Sequence, residues 1–312
     1  MKEFGIACYD GPILWQVVPD NTKEKIVSRR NSIIGWIIFC YPSDLVGGVN
    51  MYSEENSSGK PLANSSWLLN HHRAKIPERT AFAKRLAKLQ PKKIVDLGCA
   101  TGLWLELLNE ILPLDCEFIG IDSDIESLEI AISRSKSWSR KTSFIKLDIE
   151  KDAALIPSAD LTLAFNIFPY INDLDTFLNS LVSKTPHGTL AVRQYDGASI
   201  RFGPMPTTMR QKIEQELQVA TGNSEKFRHY DLDRTFTALQ NSAYNNIEYN
   251  FELFERISPF DQEFIPYYKG TMFWTCQHIS DASAEFLSKW MDEDIYLKNR
   301  YFYEVDLVAL LS

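Results

Sequence analysis

Between Val95 and Gly102 the chain reads Val-Asp-Leu-Gly-Cys-Ala-Thr-Gly. Gly98, Ala100 and Gly102 alternate behind an acid, Asp96. Small residues at such a place let a turn tighten and let a ligand approach the backbone. A second acid, Asp122, closes the apolar run Phe118-Ile-Gly-Ile-Asp122, where a carboxylate can accept hydrogen bonds from ribose hydroxyls. The glycine spacing is not the G-x-G-x-x-G of dinucleotide sites. A carboxylate at position 96 would also repel a pyrophosphate, whereas it would attract the ammonium of an amino acid. The chemistry indicated is therefore recognition of a cationic, phosphate-free nucleotide. The plain alternatives are a ligand-free turn for the loop and a helix N-cap for Asp122.

The elements that must hold these residues follow from hydrophobic periodicity. Short apolar runs predict strands over 93–97, 117–122, 142–148, 161–165 and 189–193. Amphipathic stretches predict helices over 78–89, 103–112, 125–135 and 174–183. Strands alternating with helices of about ten residues mean a mostly parallel sheet with helices on both faces. Further helices are expected near 208–220 and 231–244. Two late strand-like runs, 246–256 and 301–311, are consistent with an antiparallel edge hairpin. The expected architecture is a doubly wound, mostly parallel seven-stranded α/β sheet. Residues 1–65 form an N-terminal extension or cap, with one strand-like run at Ser32–Cys40. Residues 66–312 form the main domain. An insertion at about 196–230, holding Phe202, Met205, Met209 and Phe227, is expected to be an ordered apolar lid; a homodimer contact through the same residues is the alternative.

Taken together, these segments resemble the class I S-adenosylmethionine-dependent methyltransferases, which are Rossmann-like. Asp96-x-Gly98-x-Ala100-x-Gly102 resembles the family's first motif, with Ala100 where many members have Gly. Phe118 to Asp122 resembles the second, whose acid binds the ribose, and Lys146-Leu-Asp148-Ile149 the third, whose acid and following N–H meet the adenine. Asp160 to Tyr170 resembles the fourth strand and the loop facing the methionine moiety, and Tyr301 to Ala309 the last strand. The resemblance implies S-adenosylmethionine as cofactor, with Asp96, Gly98, Cys99, Ala100, Gly102, Asp122, Ser123, Asp148, Ile149 and Asn166 around it. It is dense over a third of the chain. Residues 1–65 and 196–230 resemble no named segment.

The acceptor side is read from residues able to roof the carboxyl edge of the sheet. Candidate general bases are His71, His72, Tyr170 and His229, because an oxygen or nitrogen nucleophile often needs a proton removed. Candidate acceptor ligands are Tyr170, Arg193, Tyr195, Arg201 and Tyr230; two arginines in one pocket would favour an anionic small molecule. The net charge of −8 over 312 residues argues against a dedicated nucleic-acid binder. Arg134, Lys136, Arg140 and Lys141 read as a solvated helix end. Five cysteines, widely spaced and without a CxxC, argue against a metal site or a disulfide framework and for a reducing cytoplasm. No run is long enough to span a membrane. Asn56 and Asn64 match the glycosylation pattern, read as chance matches. The expected activity is methylation of a small-molecule acceptor in specialised biosynthesis. A peptide, protein or RNA acceptor, aminopropyl transfer and a non-catalytic interaction module are the alternatives.

Overall fold

A computed structural model describes residues 52–53, 62–223, 231–292 and 299–312. A two-stranded antiparallel ladder, β1 (Tyr52–Ser53) and β2 (Leu62–Ala63), comes first. Asn64 then caps helix α1 (Ser65–Ala74) by accepting the Trp67 N–H at 2.8 Å, so its side chain serves as a helix N-cap. Pro77 stands in the first turn of α2 (Ile76–Ala87), where a missing N–H is no loss.

The sheet is built from β3 (Lys93–Leu97), β4 (Glu117–Asp122), β5 (Thr142–Lys146), β6 (Leu161–Phe165), β7 (Thr189–Tyr195), the short β8 (Arg201–Gly203), β9 (Ile247–Ile257) and β10 (Tyr301–Leu311). The order is β5-β4-β3-β6-β7-β10, with β9 on the far edge of β10. Strands β3 to β7 are parallel; β10 runs antiparallel to β7, β8 and β9. The expected seven strands and edge hairpin are present. The eighth strand, β8, comes from the segment read as an insertion and continues the β7 side of β10, opposite Tyr301–Tyr303.

The sequence alternation explains the two cores. Val95, Leu97, Leu190, Val192, Leu307 and Ala309 face α5 (Leu174–Val182) and α7 (Leu232–Asn241). Their chain neighbours Ile94, Ala191 and Val308 face α2 and α3 (Leu103–Asn109). Strands buried on both faces read as continuous apolar runs, as β6 does. Helix α4 (Ile125–Ser135) starts on Asp124, which accepts the Ser127 N–H, and has the limits its periodicity predicts. A third apolar cluster joins Phe202 of β8, α6 (Thr207–Asn223), α8 (Ile265–Cys276) and α9 (Asp281–Asp292) around Phe254, Trp274 and Phe302. The described part of the insertion packs here. The Ser32–Cys40 run and Phe227 lie outside the described residues.

Candidate active site

The carboxyl ends of β3, β4, β6 and β7 and the turn after β5 surround a cavity, with α1 and α2 forming one wall. Such an edge is where open α/β sheets bind ligands. The loop after β3 turns sharply, with Gly98, Ala100 and Gly102 at φ +65°, +45° and +76°. At Gly98 a side chain is also excluded by space, since a Cβ would lie 2.5 Å from Ile167 Cγ2. The loop is pinned to β4: Cys99 N–H donates to Ile121 O and Ala100 N–H donates to Asp122 Oδ2 at 2.8 Å. Asp122 Oδ1 accepts the Asp124 N–H at 2.9 Å. Both oxygens keep lone-pair capacity on the cavity they line. Burial pushes the Asp122 carboxyl up, opposed by those backbone donors.

Asp96 lies beneath the loop, 2% exposed, and its Oδ2 has no partner among the described residues. Burial, then the Asp122 charge, raise its carboxyl to about 8, with Arg79 opposing. A buried acceptor without a donor is costly. An ammonium would supply that donor, and a pyrophosphate would face two buried carboxyls. Asp148 accepts the Glu150 and Lys151 N–H groups and pairs with Lys151 Nζ at 3.0 Å. Burial pushes its carboxyl up, but these bonds bring it below its ordinary value.

Of the sequence-derived site residues, the structure gathers Gly98, Cys99, Ala100, Asp122, Ser123, Asp148, Ile149 and Asn166 around the cavity, with His71, Tyr170 and Tyr195. Asn166, at φ +56°, is tied to β7 through Oδ1, which accepts the Tyr195 N–H. Tyr170 sits on a short turn whose flanking carbonyls, Phe168, Ile171 and Asn172, are held by Arg234. Asp96 and Gly102 support the loop without lining the cavity, and His229 and Tyr230 lie outside the described residues.

Three expected residues are placed elsewhere. Arg193 is buried under the wall, paired with Asp306 at 2.6 Å and Glu252 at 2.8 Å. Arg201 pairs with Glu214 at 2.6 Å, away from the cavity. His72 is locked behind Arg79, whose NH1 donates to its Nδ1 at 2.7 Å. Burial first, then Arg79 and Arg134, lower the His72 imidazole to about 3, so it is neutral at ordinary pH. Sequence reasoning missed Arg79, Trp67, Trp104 and Phe165, which also line the cavity. Trp104 packs on Phe165 at 4.6 Å between ring centres, and Arg79 lies 5.0 Å over Trp104. The signal for Arg79 was its spacing: with Phe82, Ala83 and Leu86 it falls on the inward face of α2.

The profile of a family described as a methyltransferase domain matches residues 89–250. The chain belongs to this family, the class I S-adenosylmethionine-dependent methyltransferases. Trans-aconitate 2-methyltransferase of Pseudomonas aeruginosa is 36% identical over 104 residues, 32% of this chain and 35% of that protein. An uncharacterized protein of Haemophilus influenzae is 33% identical over 124 residues, 38% of this chain and 48% of that protein. The match thus spans a third to a half of these curated relatives. A solved plantazolicin methyltransferase in complex with SAH is 16% identical, covering 94% of this chain and 99% of that one, with a TM-score of 0.47.

S-adenosylmethionine is the cofactor of this family, and the residues at the cavity fit that group. Asp122 would offer carboxylate oxygens to the ribose, Asp148 and Ile149 would meet the adenine, and the orphaned Asp96 oxygen would suit an ammonium. When bound, the cofactor supplies a sulfonium methyl for in-line displacement. The protein's share would be positioning: the loop would hold the nucleoside, and Asn166, Tyr170 and Tyr195 line the same cavity. Trp67, Trp104 and Phe165 give the cavity an apolar wall that would exclude water. Among the described residues no group of ligands could hold a metal, and no helix is long and apolar enough to cross a membrane.

Proposed function

We propose that this methyltransferase acts on a small-molecule acceptor in specialised biosynthesis. The observation that carries the reading is the lining of the cavity, where Leu62, Ala63, Trp67, Trp104 and Phe165 stand beside a few polar groups, Arg79, Asp122 and Asp148 among them. A concave, largely apolar site with a few polar groups suits a compact ligand. Of the expected N-terminal cap, Leu62 and Ala63 line the cavity, and residues 1–51 and 54–61 lie outside the described residues. The lid reading of 196–230 is supported only by its ordered apolar packing; none of its described residues lines the cavity. The match to trans-aconitate 2-methyltransferase supports an acceptor of small size. We place the protein in the cytoplasm, on the free thiols Cys99, Cys116 and Cys276.

The cavity also narrows the proton chemistry. We retain Tyr170, which lines the cavity, as a base candidate. His71 lies beside Trp67 and Tyr267, at 6.4 and 5.1 Å between ring centres, and those two rings are 5.3 Å from each other. Burial, then Lys75, Arg79, Arg193 and His72, hold its imidazole well below the usual range. It is thus neutral, and better suited to hydrogen bonding than to taking up a proton. The test is transfer of a labelled methyl group from S-adenosylmethionine to pooled small metabolites, peptides and RNA. Label in small molecules supports the proposal. Label confined to peptides or RNA contradicts it.

A further inference from the structure

We infer that Arg79 is a carboxylate-binding point in the cavity wall. The inference rests on which buried groups touch one another. Lys75 contacts Glu304 and lies 3.5 Å from Asp306, while Arg193 is bound by Asp306 and Glu252. Tyr267 donates to the remaining Glu304 oxygen at 2.6 Å. These acids are taken up by the cations they touch. Arg79 is 6% exposed, lines the cavity, and has no carboxylate partner among the described residues.

Its described partners are both imidazoles: His72 Nδ1 at 2.7 Å and His71 Nδ1 at 3.5 Å. A guanidinium donates and never accepts, so both nitrogens must be unprotonated. Each neutral ring then carries its proton on Nε2. His71 therefore offers the cavity an Nε2–H donor and cannot take a proton there. Two of the five guanidinium N–H donors are engaged with the rings, and Trp104 lies against the guanidinium. The remaining donors of a buried guanidinium that touches no carboxylate among the described residues form a fork suited to one. That carboxylate belongs either to the amino-acid end of the cofactor or to the acceptor.

The experiment is calorimetry on the full chain and on Arg79→Gln and Arg79→Lys. The probes are S-adenosylhomocysteine and 5′-methylthioadenosine, the same nucleoside thioether without the amino-acid end. A series of small mono-, di- and tricarboxylates is then titrated into chain saturated with S-adenosylhomocysteine. If the cofactor supplies the carboxylate, Arg79→Gln weakens S-adenosylhomocysteine by about 10- to 100-fold and leaves 5′-methylthioadenosine unchanged. If the acceptor supplies it, S-adenosylhomocysteine binding holds and carboxylate binding disappears. Arg79→Lys keeps the charge but loses the fork, so it should fall between.

Equal weakening of both nucleosides would mark a merely structural residue and overturn the inference. So would Arg79→Gln leaving S-adenosylhomocysteine and every carboxylate unaffected. Should Arg79→Gln fail to fold, Arg79→Lys and the wild-type ratio of the two nucleosides decide. No binding of S-adenosylhomocysteine to the wild-type chain would instead overturn the cofactor assignment, and this inference with it.

Discussion

Asp96→Asn exchanges a buried carboxyl with an unsatisfied oxygen for a neutral amide of nearly the same shape. In the folded chain the carboxyl titrates near 8, against an ordinary value of 3.8. Between these values the folded state holds a proton that the unfolded state has released. The Asp96 contribution to the stability of the ligand-free protein is therefore fully present below the unfolded value and is lost as pH rises through the window. From about pH 5.5 to about pH 7.5 the loss works out at about 2–3 kcal/mol. The amide variant has no such proton. Its stability relative to wild type should climb by that amount over the same interval, while contributions from other titrating groups cancel in the difference. Urea unfolding of both proteins across the interval measures it. Saturating S-adenosylhomocysteine should flatten the wild-type slope, because an ammonium beside Oδ2 favours the ionised form. Parallel pH dependence of the two proteins would refute the reasoning, since Asp96 would then be ionised throughout.

Ala100 carries φ +45°, a region L side chains enter at a cost, so Ala100→Gly should raise stability by about 0.5–1 kcal/mol in denaturant titration. A loss would show the loop unstrained there. Gly98→Ala meets both φ +65° and a 2.5 Å approach to Ile167, and should cost at least about 1–2 kcal/mol and weaken cofactor binding; a neutral result would mean the loop yields. Asp122→Ala should weaken S-adenosylhomocysteine by about 1–3 kcal/mol, the loss of a charged hydrogen-bond partner. An unchanged dissociation constant would put the ribose elsewhere. His72, lowered to about 3 from 6.5, contributes stability that is present above 6.5 and lost as pH falls through that window. Its ring protons should show no NMR titration down to about pH 5, and a midpoint near 6.5 would contradict the Arg79 contact.

The features legible in the sequence are local ones. The strand preceding Gly98 and the one ending at Asp122 announce themselves by apolar runs closed by an acid, and α4 by its periodicity and its Asp124 cap. These fix the cofactor half of the cavity, because parallel neighbours set Asp122 beside the loop after β3. The acceptor half depends on long-range pairings that no local pattern reveals. Arg193 looked like a pocket residue at a strand end, but β10 brings Asp306 against it from 113 positions away. Arg79 sat in plain view on an apolar helix face. Its meaning emerges only when Lys75 and Arg193 are seen to occupy the neighbouring acids. The three-residue β8 was missed because so short a strand has no period of its own.

The central claim is that the cavity at the carboxyl edge of the sheet, built on Asp96, the 98–102 loop and Asp122, holds S-adenosylmethionine. Calorimetric titration of the full chain with S-adenosylmethionine, S-adenosylhomocysteine and NAD, repeated with Asp122→Ala, tests it most directly. The account predicts one-to-one binding of the first two, marked weakening by the substitution, and no heat from NAD. Binding of NAD in their place, or binding of all three unaltered by Asp122→Ala, would contradict it.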